Sequence, residues 1–233
     1  MEVFNKNDVL SRILNQHVEL IPVINRFGIK LGLQNKTISE VCNDHNVKPG
    51  FFLTIINAHL HQDYSPASSL RSFSPLLIVE YLRKTHAYYR DYILPRTKHM
   101  LEDLLQSCEG DCEELKLIKA FYRKYEEELI HHLDNEEHNV FPYIENLLNN
   151  DNIQGHCYSI ENFEKEHSNV DIKINDLKQL IIKYITPSYN TNQCNEFLTL
   201  LSRFENDLKD HARIEDHVLV PMVKEIEKKR NHA

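Results

Sequence analysis

Two stretches of the sequence repeat one pattern of donor residues: HLDNEEHNVFP at 132–142 and HARIEDHVLVP at 211–221. Both read H-x3-E-[ED]-H-x-[VL]-[FV]-P. In an α-helix, residues four apart differ by about 40° around the axis and ~6 Å along it. His132 therefore points the same way as Glu136, and His211 the same way as Glu215. Each pair offers an imidazole nitrogen and a carboxylate side by side, a donor set suited to intermediate first-row metals. Two further histidines, His86 and His167, precede the two motifs at nearly equal distances, so the candidate site is a duplicated helix pair.

These donors need helices that bring them to one level. From Pro75 onward, four segments carry apolar residues at alternating three- and four-residue steps, the pattern of a bundle seam. The first runs Ile78, Leu82, His86, Tyr89, Ile93, and the second Leu115, Ile118, Tyr122, Tyr125, Leu129, His132, Glu136, Val140, Tyr143, Leu147. The third runs Phe163, His167, Val170, Ile174, Leu177, Ile181, Tyr184, and the fourth Phe197, Leu200, Phe204, Leu208, His211, Glu215, Val218, Met222. With helices alternating in direction at ~1.5 Å per residue, His86 and Glu136 meet at one height, as do His167 and Glu215. The expected fold is all-α: an up-down-up-down four-helix bundle over 75–230, preceded by a small helical domain (1–61) and a Ser/Pro-rich linker (62–74).

Burying two carboxylates and four imidazoles would cost several kcal/mol unless each is paired or metal-bound. Two cations meet that need. Di-iron sites in helical bundles are built from inward-facing carboxylate and histidine. Two histidines per iron, both glutamates bridging, and an oxo or hydroxo bridge would leave an open position on each metal for a diatomic or a peroxide. Ligand type alone leaves manganese and zinc open.

His86, the two H-x3-E motifs with their apolar-Pro ends, and the EKEH segment at His167 resemble hemerythrin-like domains over roughly 75–226. The resemblance extends to the di-iron iron-sulfur cluster repair family, the regulators of cell morphogenesis and NO signalling. It implies two iron ions, with His86, His132, His167 and His211 as terminal ligands and Glu136 and Glu215 as bridges. Oxygen-carrying hemerythrins use five histidines and an H-x4-D ending, which makes Asp216 a reserve ligand. NRFGIKLGLQNKTISEVCNDHNV (25–47) resembles the repair family's N-terminal domain but departs from it. Leu31-Gly32-Leu33-Gln34 stands near where that family carries a Cys-Cys pair followed by glycines, and Cys42 is no obvious substitute.

The remaining residues read more plainly. His138 and His217 fall about 120° off the seam in α-helical geometry and belong at the surface or beside the ligands. Glu137 and Asp216 adjoin the bridging carboxylates and could hold ligand histidines by hydrogen bonds. His131, His99, His156, His59 and His61 lack seam placement and are expected to be solvated. The seam tyrosines Tyr89, Tyr122 and Tyr125 are packing residues, although one beside an iron could hydrogen-bond an oxygen species. Thr37-Ile38-Ser39-Glu40 has the form of a capping box, and residues 37–60 have helix-turn-helix form. The would-be recognition helix there holds no Arg or Lys, and the net charge is −8, so no nucleic-acid partner and no membrane surface is expected.

Only five glycines, no tryptophan and 41% hydrophobic residues fit long helices. The start of the chain lacks a signal-peptide pattern and no stretch has membrane-span length, so a cytoplasmic location is expected. Five cysteines fit a reducing compartment, and Cys108 and Cys112 in SCEGDC read as two incidental thiols in a turn. The functional expectation is a non-haem di-iron protein that reacts with NO, O2 or H2O2 and contributes to repair of damaged iron-sulfur proteins. Its alternative is a sensor that binds O2 or NO and signals through the N-terminal domain. Homodimerisation is left open.

Overall fold

The computed structural model describes residues 3–61, 64, 73–108, 112–149, 160, 163, 170–185 and 189–231, apart from the side chains of 170–172 and 231. Their regular structure is all helical save an isolated bridge between Val9 and Thr37. Four short helices come first: α1 (Leu10–Gln16), α2 (Leu20–Arg26), α3 (Ile38–Asp44) and α4 (Pro49–Leu60). Long helical runs follow. The first joins α5 (Pro75–Tyr88), a π turn π1 (Tyr89–Ile93) and α6 (Leu94–Gln106). The second joins α7 (Glu113–Asn135), π2 (Glu136–Val140) and α8 (Phe141–Leu148). Then come α9 (Val170–Tyr184) and the fourth run of α10 (Thr191–Ile214), π3 (Glu215–Leu219) and α11 (Val220–Asn231). The molecule is an all-α helical bundle. No helix among the described residues is long and apolar enough to cross a membrane.

The chain divides into two compact units. One comprises Met1–Thr85, Tyr143–Ile160 and Asp210–Ala233, and the other His86–Pro142 and Glu161–Lys209. In the first unit, local signals set the short helices. Thr37 caps α3: its hydroxyl accepts from the Glu40 amide at 3.3 Å, while the Glu40 carboxylate accepts from the Thr37 amide at 2.7 Å. This is the expected capping box. Gly28, with φ +78°, ends α2 through bonds from its own amide to Asn25 and from the Ile29 amide to Ile24, a closure that needs a left-handed residue. Along α4, Phe51, Phe52, Thr54, Ile55, Ile56, Asn57 and Ala58 are all buried, so this helix is covered on nearly every side.

The second unit is held by an apolar core. α7 packs against both α6 and α9. Leu101, Ile118, Leu129, Ile174, Phe197 and Phe204 are among its buried side chains, each contributing about 1.5–3 kcal/mol by leaving water. The Tyr89 ring meets Phe204 edge-on at 5.3 Å, and the Tyr122 hydroxyl donates to the Leu94 carbonyl at 3.1 Å.

Most seam positions are buried, with three corrections. Leu201 rather than Leu200 is fully buried on α10, because the apolar step after Phe197 is four residues and not three. Tyr184 is 64% exposed, since the seam of α9 ends at Ile181. After Val140 the buried positions are Phe141, Ile144 and Leu147, while Tyr143 is half-buried. The cause of this last shift is π2, which adds a residue to the turn and resets the phase that a uniform 3.6-residue repeat would give. Residues 62, 63 and 65–72 of the expected linker lie outside the described residues.

Candidate metal centre

Glu136 is the first residue of π2 and is fully buried. Its two oxygens face different imidazoles. Oε1 lies 3.0 Å from Nε2 of His132, one turn earlier on α7, and Oε2 lies 3.1 Å from Nε2 of His86 on α5. The other ring nitrogen of His86 is also engaged, with Nδ1 2.7 Å from Oε1 of Glu137. An ionised carboxylate only accepts, so Nδ1 donates to Glu137, and a neutral His86 then turns its Nε2 lone pair toward Glu136. Lone pair and carboxylate repel at that distance unless a second proton or a cation lies between them. The Phe141 ring stacks on His86 at 5.4 Å and 16°, closing one face of the imidazole.

The fourth run repeats the arrangement. Glu215 is the first residue of π3 and is fully buried; its Oε1 lies 3.1 Å from Nε2 of His211 one turn earlier. Both motifs thus place an imidazole nitrogen against a buried carboxylate at nearly the same distance. The pair of His86 and Glu136 lies in one unit and the pair of His211 and Glu215 in the other, and all four residues are buried. In each unit an imidazole against a buried carboxylate forms a nitrogen-and-oxygen donor pair in a nearly dry place. The donor chemistry fits a divalent or trivalent first-row cation.

Of the six residues expected at the site, His86, Glu136, His211 and Glu215 are buried. His132 touches Glu136, and its side chain is 20% exposed. His167 lies outside the described residues. Asp216, the reserve ligand, is exposed. His138 is exposed and its Nδ1 lies 2.8 Å from the Asp134 carbonyl of its own helix, and His217 is exposed too.

Two sequence expectations are corrected. His59 is not solvated: its side chain is 4% exposed, with Nδ1 3.1 Å from Oδ2 of Asp210 and Nε2 3.0 Å from the Tyr81 hydroxyl. The Asp210 carboxylate only accepts, so Nδ1–H donates to it, and Nε2 is left to pair with the Tyr81 hydroxyl. Arg26 in turn donates to the Tyr81 oxygen at 3.2 Å, and Arg213 donates to Asp210 and to the Ala58 carbonyl. His59 escaped notice because α4 is buried nearly all round and has no single seam. Cys108 and Cys112 are joined by a disulfide across the turn between α6 and α7, where two unpaired thiols were expected. Their Cα atoms, 6.5 Å apart, are within bridging range. Burial pushes the Cys42 thiol up to about 12, which keeps it protonated and inert.

Comparison with known proteins follows the same residues. The family model described as hemerythrin HHE cation binding domain matches residues 77–223, which include His86, His132, Glu136, His211 and Glu215. Over 226 residues the chain is 19% identical to the protein called iron-sulfur cluster repair protein ScdA from each of two Staphylococcus epidermidis strains, RP62A and ATCC 12228. Each match covers 95% of this chain and 100% of the relative, so it takes in the short N-terminal helices as well.

Proposed function

Because this chain belongs to the hemerythrin HHE cation binding domain family, we propose that it is a non-haem di-iron protein of the cytoplasm. Its iron pair would react with NO or oxygen species and contribute to repair of iron-sulfur clusters damaged by nitrosative or oxidative stress. The observation that carries the metal reading is Glu136, a fully buried carboxylate whose two oxygens face the imidazoles of His132 and His86, so that all three side chains would offer atoms to a metal site. On this reading His86, His132, His167, His211, Glu136 and Glu215 would hold the iron pair. A bound iron pair would supply one-electron redox chemistry and coordination positions open to a small ligand.

The chain's own residues supply the rest. Glu137 accepts a hydrogen bond from Nδ1 of His86, which fixes the tautomer that presents the Nε2 lone pair to a cation and raises its basicity. Phe141 shields that imidazole from water. The repair role is supported by the name of the two Staphylococcus relatives and by their match along their full length. The test is restoration of activity to an NO-inactivated iron-sulfur enzyme by iron-loaded protein under anaerobic conditions. Recovery is expected, and no recovery with a fully loaded protein would overturn the repair role.

One observation favours a second reading, an O2 or NO sensor that signals through its N-terminal domain. Asp210 and Arg213 flank His211 and are tied to His59 and the Ala58 carbonyl of α4. A change at His211 would therefore reach α4 directly. Reversible ligand binding accompanied by altered hydrogen exchange in α4, without enzyme recovery, would select this reading over repair.

A further inference from the structure

Three seven-residue segments share one register: YRDYILP (89–95), EEHNVFP (136–142) and EDHVLVP (215–221). In each, the first five residues form a π turn and the seventh is proline. Each turn closes with a bond five residues back from the amide just before the proline: Leu94 to Tyr89, Phe141 to Glu136, and Val220 to Glu215. The other described prolines, Pro22, Pro49 and Pro75, stand in the first turn of their helices, where a missing amide hydrogen costs nothing. Among the described residues, every proline deep within a helical run follows a π turn.

The physics runs from proline to turn. A proline in a helix interior has no N–H for the carbonyl four residues back, and its ring collides with that carbonyl. For Pro142 the carbonyl is that of His138, and for Pro221 that of His217. Opening the preceding turn by one residue moves the carbonyl aside. The widened turn also reduces the rotation per residue, so Glu136 and Glu137 can both reach His86, one at each ring nitrogen. In a regular α-helix neighbouring side chains diverge by about 100°.

We infer that Pro142 and Pro221 are positioning residues for the metal centre: each holds the turn before it in the π form, and that turn sets the angle at which Glu136 or Glu215 meets its imidazole. The inference rests on the proposed metal function. It also explains why the two H-x3-E motifs share their prolines six residues beyond the glutamates.

The test replaces each proline separately, Pro142→Ala and Pro221→Ala, and measures two quantities: the melting temperature of the metal-free protein and its affinity for ferrous iron added anaerobically. Alanine restores an N–H and removes the ring, so the turn can relax to α geometry. The metal-free variants should melt a few degrees higher while their iron affinity falls by about tenfold or more. A proline that served only the fold would give a lower melting temperature, and that outcome overturns the inference. Unchanged iron affinity in both variants, with iron bound by the wild type, overturns it as well. A wild type that takes up no metal overturns the metal function itself and the inference with it. Should one variant fail to fold, the other carries the test, because the two turns are equivalent.

Discussion

Two buried carboxylates stand ten residues apart on the fourth helical run, and the protein treats them differently. Glu205 on α10 lies against Lys178 and Lys209, each at 2.5 Å. Burial pushes its pKa up, but the bonds to the two lysines outweigh that and hold it below the ordinary value of 4.5. Glu215 is more deeply buried, and it faces the imidazole of His211. A lysine brings its own positive charge; an imidazole near neutral pH mostly brings a lone pair. The first carboxylate is neutralised by the chain itself, whereas the second sits among groups that would share a cation. Glu136 belongs with Glu215, since both of its oxygens face imidazoles.

The largest effect that would sharpen this contrast is loss of the metal. Glu136→Ala or Glu215→Ala should release most of the bound iron, while Glu205→Gln should retain it, as measured by metal analysis of purified protein. Unchanged metal content in either alanine variant would remove that residue from the ligand set. Next in size is Glu137→Gln, which frees the Nδ1 proton of His86 from a carboxylate. Iron affinity should drop by about 10–100-fold with little change in melting temperature.

Glu205→Gln should instead cost about 2 kcal/mol of folding stability, measured by urea unfolding at pH 7, because two charged bonds to a buried carboxylate are lost. A cost near zero would mean that solvent already screens the triad. The smallest effect is the pH dependence of that cost. The folded carboxylate titrates below its unfolded value, so its stabilisation is fully present above pH 4.5 and is lost as pH falls through the folded value. The gap between wild type and Glu205→Gln should therefore close in acid. A gap that persists at low pH would assign the loss to packing rather than to charge.

How much of this was legible in the sequence depends on which signal each feature leaves. The H-x3-E pairs are legible because a four-residue spacing is a geometric statement in any helix, and because they occur twice. His86 stands out by its place on an apolar seam, and its side chain is buried, as is that of Glu136. The π turns at the glutamates were not legible from hydrophobic periodicity, since one added residue only shifts the seam, as it does at Phe141 and Ile144. The signal was present in a different form, as a proline at the seventh position of three segments. His59 left no signal because α4 has no exposed face against which a buried polar residue would stand out. The pairing of Cys108 with Cys112 depends on the 6.5 Å approach of their Cα atoms, and sequence spacing alone does not specify that.

The most direct test of the metal centre is metal analysis with an ultraviolet-visible spectrum of protein from iron-replete cells, recorded before and after dithionite and after NO. The account predicts about two irons per chain and an oxo-bridge absorption that bleaches on reduction and changes with NO. Zinc alone, or no metal from cells that load other iron proteins, would contradict it and leave a bundle whose buried carboxylates serve structure only.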